Sequence, residues 1–182
     1  MTTLQDLAAL DGRRLARWIV AQPAISLASL GKGGVLAVVE LLTSRLTDES
    51  ETFSADDWRT GSEAMERILE TAQAAGSIDR NESAIRRLNL AAVVLQRVQP
   101  QGDIPMLNLD RIRNIFTDAV PVSVGQARDL ASDWRGRDVS VIRQLRLAKN
   151  LVKPMLLMRN FISDDNVTAD LNSWEEVLPL LP

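Results

Sequence analysis

The chain has 182 residues, 46% of them apolar and a quarter charged, so it can bury one core of ordinary globular size. It contains no His, Cys or Tyr, which excludes zinc sites of the Cys/His type, Cys nucleophiles, Ser-His-Asp triads and disulfides from this chain alone. The formal net charge of -3 favours no class of partner.

Asp6 and Asp11 precede the first Arg, so the start lacks the basic region of a secretory signal. The longest candidate for membrane insertion, AISLASLGKGGVLAVVELL, carries Lys32, Glu40 and three glycines. A bilayer span needs about 20 apolar residues. The expected location is cytoplasmic, and 18 Arg against 3 Lys point to a GC-rich, bacterial genome.

Leu4, Leu7 and Leu10, then Leu15, Trp18 and Ile19, line one helical face over about 3–21, with an interruption at Asp11-Gly12 and a stop at Pro23. Residues 24–30 predict a short helical turn. GKGG at 31–34 breaks the chain before VLAVVELLTSRL at 35–46, a buried helix whose rival reading is a buried strand. TDESETFSADD is a polar loop. Ser54 and Asp57 then approximate a capping box for a helix that runs to Ala75 and ends at Gly76. On that helix Trp58, Ala64, Met65, Ile68, Leu69 and Ala72 share one side, and Glu63, Glu66 and Glu70 the other.

Residues 80–98 read as a central helix that buries Asn89. QPQGDIP at 99–105 is a loop, and a subdomain boundary is placed near 99–106. Asn108 starts a helix over about 109–119, Pro121 stops it, and Ser123 caps another over about 124–134. Gly136 separates that one from a basic helix, VIRQLRLAKNLVKPMLLMRN, which Pro154 should kink or restart. Ser173 with Glu176 predicts a cap for a last short helix, WEEVLPLL. The fold class expected is all-α: a compact multi-helix bundle of about eight helices in a single domain, with no confident strand. DDWRTGSEAMERILETA and SDWRGRDVSVIRQLRLA share Asp-Trp-Arg, then a Leu and an Ala, which raises a duplicated hairpin against coincidence. All four tryptophans fall in helical segments, as core anchors would.

Charge is segregated along the chain. Residues 47–83 hold ten acids and three bases, 84–160 thirteen bases and six acids, and 161–182 five acids and no base. On the basic helix Arg143, Arg146, Lys149 and Lys153 occupy one third of the circumference. Three readings follow: a solvated face; a surface that pairs with acids such as Glu63, Glu66 and Glu70 or the acidic C-terminal segment; or a phosphate-contacting surface. The last would make 124–153 a helix-turn-helix-like segment, with Arg135, Arg137, Arg143 and Arg146 in contact with nucleic acid. Against the second, Arg59, Glu63 and Arg67 are spaced i,i+4 and can partly neutralise one another.

Candidate chemistry is thin. GKGG lacks the P-loop's leading Gly, because Ser26 stands there, and Gly33 follows Lys32 in place of Ser or Thr. The pairs Asp56-Asp57, Asp164-Asp165 and Glu175-Glu176 are sequence neighbours, which diverge on a helix. SDDNVTAD at 163–170 has the oxygen ligands of a calcium loop without its spacing, Gly or terminal Glu. Glu40 is the best candidate base, if burial raises its pKa; an Arg partner or exposure is the plainer alternative. No cofactor, metal or small-molecule ligand is expected. The function expected is a non-enzymatic interaction or regulatory module that binds a protein partner or itself through polarised faces. Nucleic-acid binding is the runner-up, and an anionic membrane surface is third.

Overall fold

In the computed structural model, residues 3–162 and 165–182 are described, and among them the chain forms ten α-helices and no strand. The all-α expectation holds. Its contacts fall into two units, one built from Met1–Ser83 with Gln101–Asn108, the other from Ala84–Pro100 with Leu109–Pro182.

In the first unit, α1 (Leu4–Ala8) and α2 (Gly12–Ala21) divide at Asp11, whose carboxylate accepts the Arg14 N–H at 2.8 Å and so caps α2. The short α3 (Ala24–Ala28) follows Pro23. The next helix, α4 (Gly31–Leu46), takes GKGG into its first turn. The break falls only at Gly31, whose φ of +70° an L side chain resists. VLAVVELLTSRL is helical, with Val35, Val38, Val39, Leu42 and Leu46 buried, so the strand alternative fails.

The central helix of this unit is α5 (Ala55–Ala74), against which α2, α3 and α4 pack. The capping box at its start is complete. Asp57 accepts from the Ser54 N–H at 3.0 Å and the Ser54 hydroxyl at 2.8 Å, and Ser54 Oγ accepts from the Asp57 N–H at 3.2 Å. The helix ends before Gly76, at φ +64°. Trp58, Ala64, Met65, Ile68, Leu69 and Ala72 are all buried, as the wheel predicts, and Trp58 packs on Phe53 with ring centroids 4.8 Å apart. The buried Ser62 hydroxyl accepts the Met106 N–H at 3.0 Å, which ties the 101–108 segment to α5.

In the second unit, α6 contributes Ala84–Leu95 of its full Arg80–Leu95. It buries Leu88, Leu90, Ala91, Ala92, Val94 and Leu95, but Asn89 is exposed, contrary to expectation. Asn89 and Val93 stand one turn apart and both are exposed, so the amide needs no buried partner. The loop after α6 carries a 3-10 turn (Pro105–Leu107) that belongs to the first unit. Then come α7 (Leu109–Ala119), α8 (Val124–Ala131), a 3-10 turn (Trp134–Gly136), α9 (Val139–Met158), another 3-10 turn (Arg159–Phe161) and α10 (Asp165–Val177). Ser123 caps α8 in a complete capping box with Gln126.

Two expectations at the C-terminal end are corrected. Pro154 lies buried inside α9, and the helix runs past it to Met158 without restarting. The neighbours Leu151, Val152, Met155 and Met158 are fully buried, so packing of these turns offsets the lost backbone donor. Ser173 caps nothing. It lies within α10, and its hydroxyl donates back to the Ala169 carbonyl at 3.1 Å. Leu171, Trp174 and Val177 are buried along one face, so the helical period starts well before WEEV. The Asp-Trp-Arg echo has no structural counterpart: Trp58 is buried in the first turn of α5, whereas the half-buried Trp134 opens a 3-10 turn.

Asp57 also faces Arg13 Nε at 3.4 Å and Arg17 at 3.5 Å. Its carboxyl is held below the usual range, first by the Ser54 N–H, then by the Ser54 hydroxyl and the two guanidinium charges, against the opposing effect of partial burial. A pKa depressed in the folded state stabilises the fold above the unfolded value, about 3.9, and that gain is lost as pH falls through the folded value. Asp57→Asn should therefore lower stability by about 1 kcal/mol at pH 7. The gap between the two proteins should close as pH drops below about 4, measured by urea unfolding across pH.

Candidate functional site

The basic helix α9 is started by Asp138, whose carboxylate accepts the Ser140 N–H at 2.8 Å. The same bond, then one with the Ser140 hydroxyl, lowers the Asp138 pKa. Leu145, Ala148, Leu151, Val152, Met155 and Met158 are fully buried, and α7, α8 and α10 pack around this helix. That burial turns the opposite face outward. Val139, Arg143, Arg146, Asn150, Lys153 and Leu157 are all exposed and spaced 4-3-4-3-4. At 100° per residue they lie within an arc of about 80° and extend about 27 Å along the axis. The outer face is thus a narrow seam with three cations and an amide between two apolar ends, Val139 and Leu157, each 62% exposed.

Lys149 does not belong to this seam. It sits about 80° round the helix, and its ammonium donates to the carbonyl oxygens of Leu181 at 2.7 Å and Pro182 at 3.3 Å. Sequence spacing groups it with Arg143, Arg146 and Lys153 because a one-third arc is wide enough to include it. The structure assigns it to holding the last residues of this unit. Arg135 and Arg137 are exposed in the connection before α9, with the Arg135 guanidinium 5.6 Å from the centre of the Trp134 ring. Seven residues, 132–138, separate α8 from α9. A helix-turn-helix joins its helices by a three- or four-residue turn, so this connection departs from that geometry.

Other arginines are committed within their own units. Arg113 pairs with Asp110 at 3.0 Å, Arg128 with Glu176 at 3.0 Å, and Arg159 with Glu175 at 2.5 Å. Arg13 and Arg17 share Asp57, Arg14 pairs with Asp11, and Arg59 bridges Asp56 at 2.5 Å and Asp103 at 2.8 Å. Arg143, Arg146 and Lys153 make no ion pair or side-chain hydrogen bond among the described residues. Glu175 and Glu176, two of the five acids of the C-terminal segment, serve Arg159 and Arg128.

On α5, Glu63 and Glu70 are exposed and Glu66 is half-buried. The expected i,i+4 neutralisation does not form. Arg59 turns to Asp56 and Asp103, and Arg67 donates to the Gln22 carbonyl. Glu63 therefore has no ion-pair partner among the described residues.

Glu40 is exposed on α4 and not in the buried setting considered for a base. GKGG is the opening turn of a helix. Asp56 and Asp57 face different arginines, as do Glu175 and Glu176. Ser163 and Asp164, which begin the SDDNVTAD segment, lie outside the described residues, and with them the Asp164-Asp165 pair. Among the described residues no three acidic side chains converge as metal ligands, and no helix is long and apolar enough to cross a membrane. Of the tryptophans, Trp58 and Trp174 are core anchors, while Trp18 and Trp134 are half-buried.

Comparison with protein families, with curated proteins and with solved structures finds no match to this chain.

Lys149→Gln should lower stability by about 1 kcal/mol through loss of a charge-assisted bond to the chain end. Faster amide exchange over residues 177–181, with α9 unchanged, is the expected signature in hydrogen-exchange mass spectrometry.

Proposed function

We propose that this protein is a non-enzymatic docking module whose α9 outer face engages a carboxylate-bearing surface on another protein molecule. One observation carries the reading: Arg143, Arg146 and Lys153 are exposed on one seam without an ion-pair partner among the described residues, while Arg113, Arg128 and Arg159 of the same unit are paired. Three cations left open on a rigid, well-buried helix are preorganised for an anionic partner, and charge of this kind sets docking direction and encounter rate more than affinity. The apolar ends of the seam suit a protein, which can cover Val139 and Leu157 while its carboxylates meet the cations.

A phosphate backbone fits less well. Duplex DNA carries one charge per about 1.7 Å of axis, and an array of three cations with an amide between them matches little of it. The seven-residue connection also lacks helix-turn-helix geometry. An anionic membrane would need a broad apolar face to enter the headgroup layer, and this arc offers two side chains. The reading retains the cytoplasmic setting expected from the sequence.

The test is a parallel titration of three labelled probes: a helical peptide with Glu every third or fourth residue, a duplex DNA, and anionic vesicles. The peptide should bind, weaken as salt rises, and lose at least about tenfold in affinity to the R143E/R146E/K153E variant. Absence of peptide binding at low salt, or tighter binding to duplex or vesicles than to peptide at physiological salt, would overturn the proposal.

A further inference from the structure

Among the serines and threonines of the chain, three stand three residues after an arginine: Ser62 after Arg59, Ser83 after Arg80 and Ser140 after Arg137. An arginine at that place, gripped by carboxylates in a kinase's substrate groove, is how an arginine-directed protein kinase selects a hydroxyl. The fold separates the three. Ser62 and Ser83 are buried, and the Ser62 hydroxyl is occupied by the Met106 N–H. Ser140 is exposed, as is every residue from Arg135 to Ser140. It alone has a second arginine, Arg135, five residues before it. Neither Arg135 nor Arg137 makes an ion pair among the described residues. Access is local as well. Ser140 is the second residue of α9, and the first fully buried side chain of that helix is Leu145. Helix ends fray, and opening this first turn uncovers none of those fully buried side chains.

We infer that Ser140 is a phosphorylation site, modified by a protein kinase that reads Arg135 and Arg137 with carboxylates, and that the phosphate switches the α9 docking face off. The switch rests on the docking reading above; the site does not. In the step, Ser140 Oγ attacks the γ-phosphorus of a nucleoside triphosphate held by the kinase. The Oγ–P bond forms as the bond from that phosphorus to the β–γ bridging oxygen breaks. The nucleoside diphosphate leaves with that electron pair, and the hydroxyl proton passes to the kinase's catalytic carboxylate. The phosphate carries a charge of about −1.5 to −2 at pH 7 and lies in the first turn of α9, where the helix dipole favours an anion. Arg143 stands three residues on, a neighbour on the helix surface with no ion pair to give up. Asp138, whose carboxylate accepts the Ser140 N–H at 2.8 Å, repels the phosphate, which leaves Arg143 and Arg137 as its partners. The seam then loses its first cation and presents negative charge to a carboxylate-bearing partner.

The test incubates the full chain with ATP and the catalytic subunit of cyclic-AMP-dependent protein kinase, an arginine-directed enzyme, and maps incorporation by mass spectrometry. Ser140 should take up phosphate, with Ser62 and Ser83 unmodified. S140A should abolish the uptake, and R137A should slow it at least about tenfold. The phosphoprotein should bind the Glu-bearing helical peptide about tenfold more weakly than the unmodified protein at low salt. No phosphate on Ser140, uptake indifferent to R137A, or heavier modification at another residue of the folded chain would overturn the site. Undiminished peptide affinity in the phosphoprotein would overturn the switch. If the unmodified protein binds no peptide, the docking reading fails and the switch with it, while Ser140 is decided by incorporation alone.

Discussion

The rotation of α9 about its own axis is the constraint on which the functional reading depends. Six fully buried side chains, from Leu145 to Met158, fix that rotation. A helix cannot bury one face without presenting the other, so the positions of Val139, Arg143, Arg146, Asn150, Lys153 and Leu157 follow from the packing of residues between them. Large aliphatic and thioether side chains supply the burial, on the order of 1.5–3 kcal/mol for each fully buried one. Surface charge has nothing comparable to oppose it, so the seam is held in place by the core and is free to be selected for something else.

Ion pairing sorts the rest of the surface. Arginines at 13, 14, 17, 59, 113, 128 and 159 each find a carboxylate in their own unit, often at i,i+3. Such exposed pairs are individually worth ~0–1 kcal/mol. Within the second unit they set Arg113, Arg128 and Arg159 apart from Arg143, Arg146 and Lys153, which have no such partner among the described residues. The charge segregation along the sequence becomes a local contrast in the structure only after these pairs are taken out. On α9 what remains is a seam of three cations without an ion-pair partner among the described residues.

Much of the fold was legible because its signals are local. Ser54 with Asp57, Pro23, Gly76 and the apolar period of α5 each act within one helical turn, and each is realised. The failures share a different cause. Asn89 lies in an apolar run, yet tertiary packing leaves it exposed beside Val93. Ser173 has a cap's spacing, but the buried Leu171, Trp174 and Val177 carry the helix through it. Pro154 has a breaker's chemistry and is overruled by the packing of its neighbours. At the site, Arg143, Arg146 and Lys153 were visible from spacing alone. Lys149 was not separable from them, because its partners are backbone carbonyls some thirty residues away, at Leu181 and Pro182. The neutralisation expected of Glu63 failed for a similar reason: Arg59 has a better partner in Asp103, 44 residues on.

The rotation of α9 can be measured without a partner, because the chain has no cysteine and a single introduced thiol reports only its own site. Thiols introduced one at a time by Arg143→Cys, Arg146→Cys, Asn150→Cys and Lys153→Cys should react with a small disulfide reagent at nearly the rate of a free thiol. Those from Leu145→Cys, Ala148→Cys and Val152→Cys should react slower by about two orders of magnitude or more, limited by opening of the fold. Equal reactivity on the two faces, or the reverse order, would contradict the orientation of α9 and the docking surface built on it.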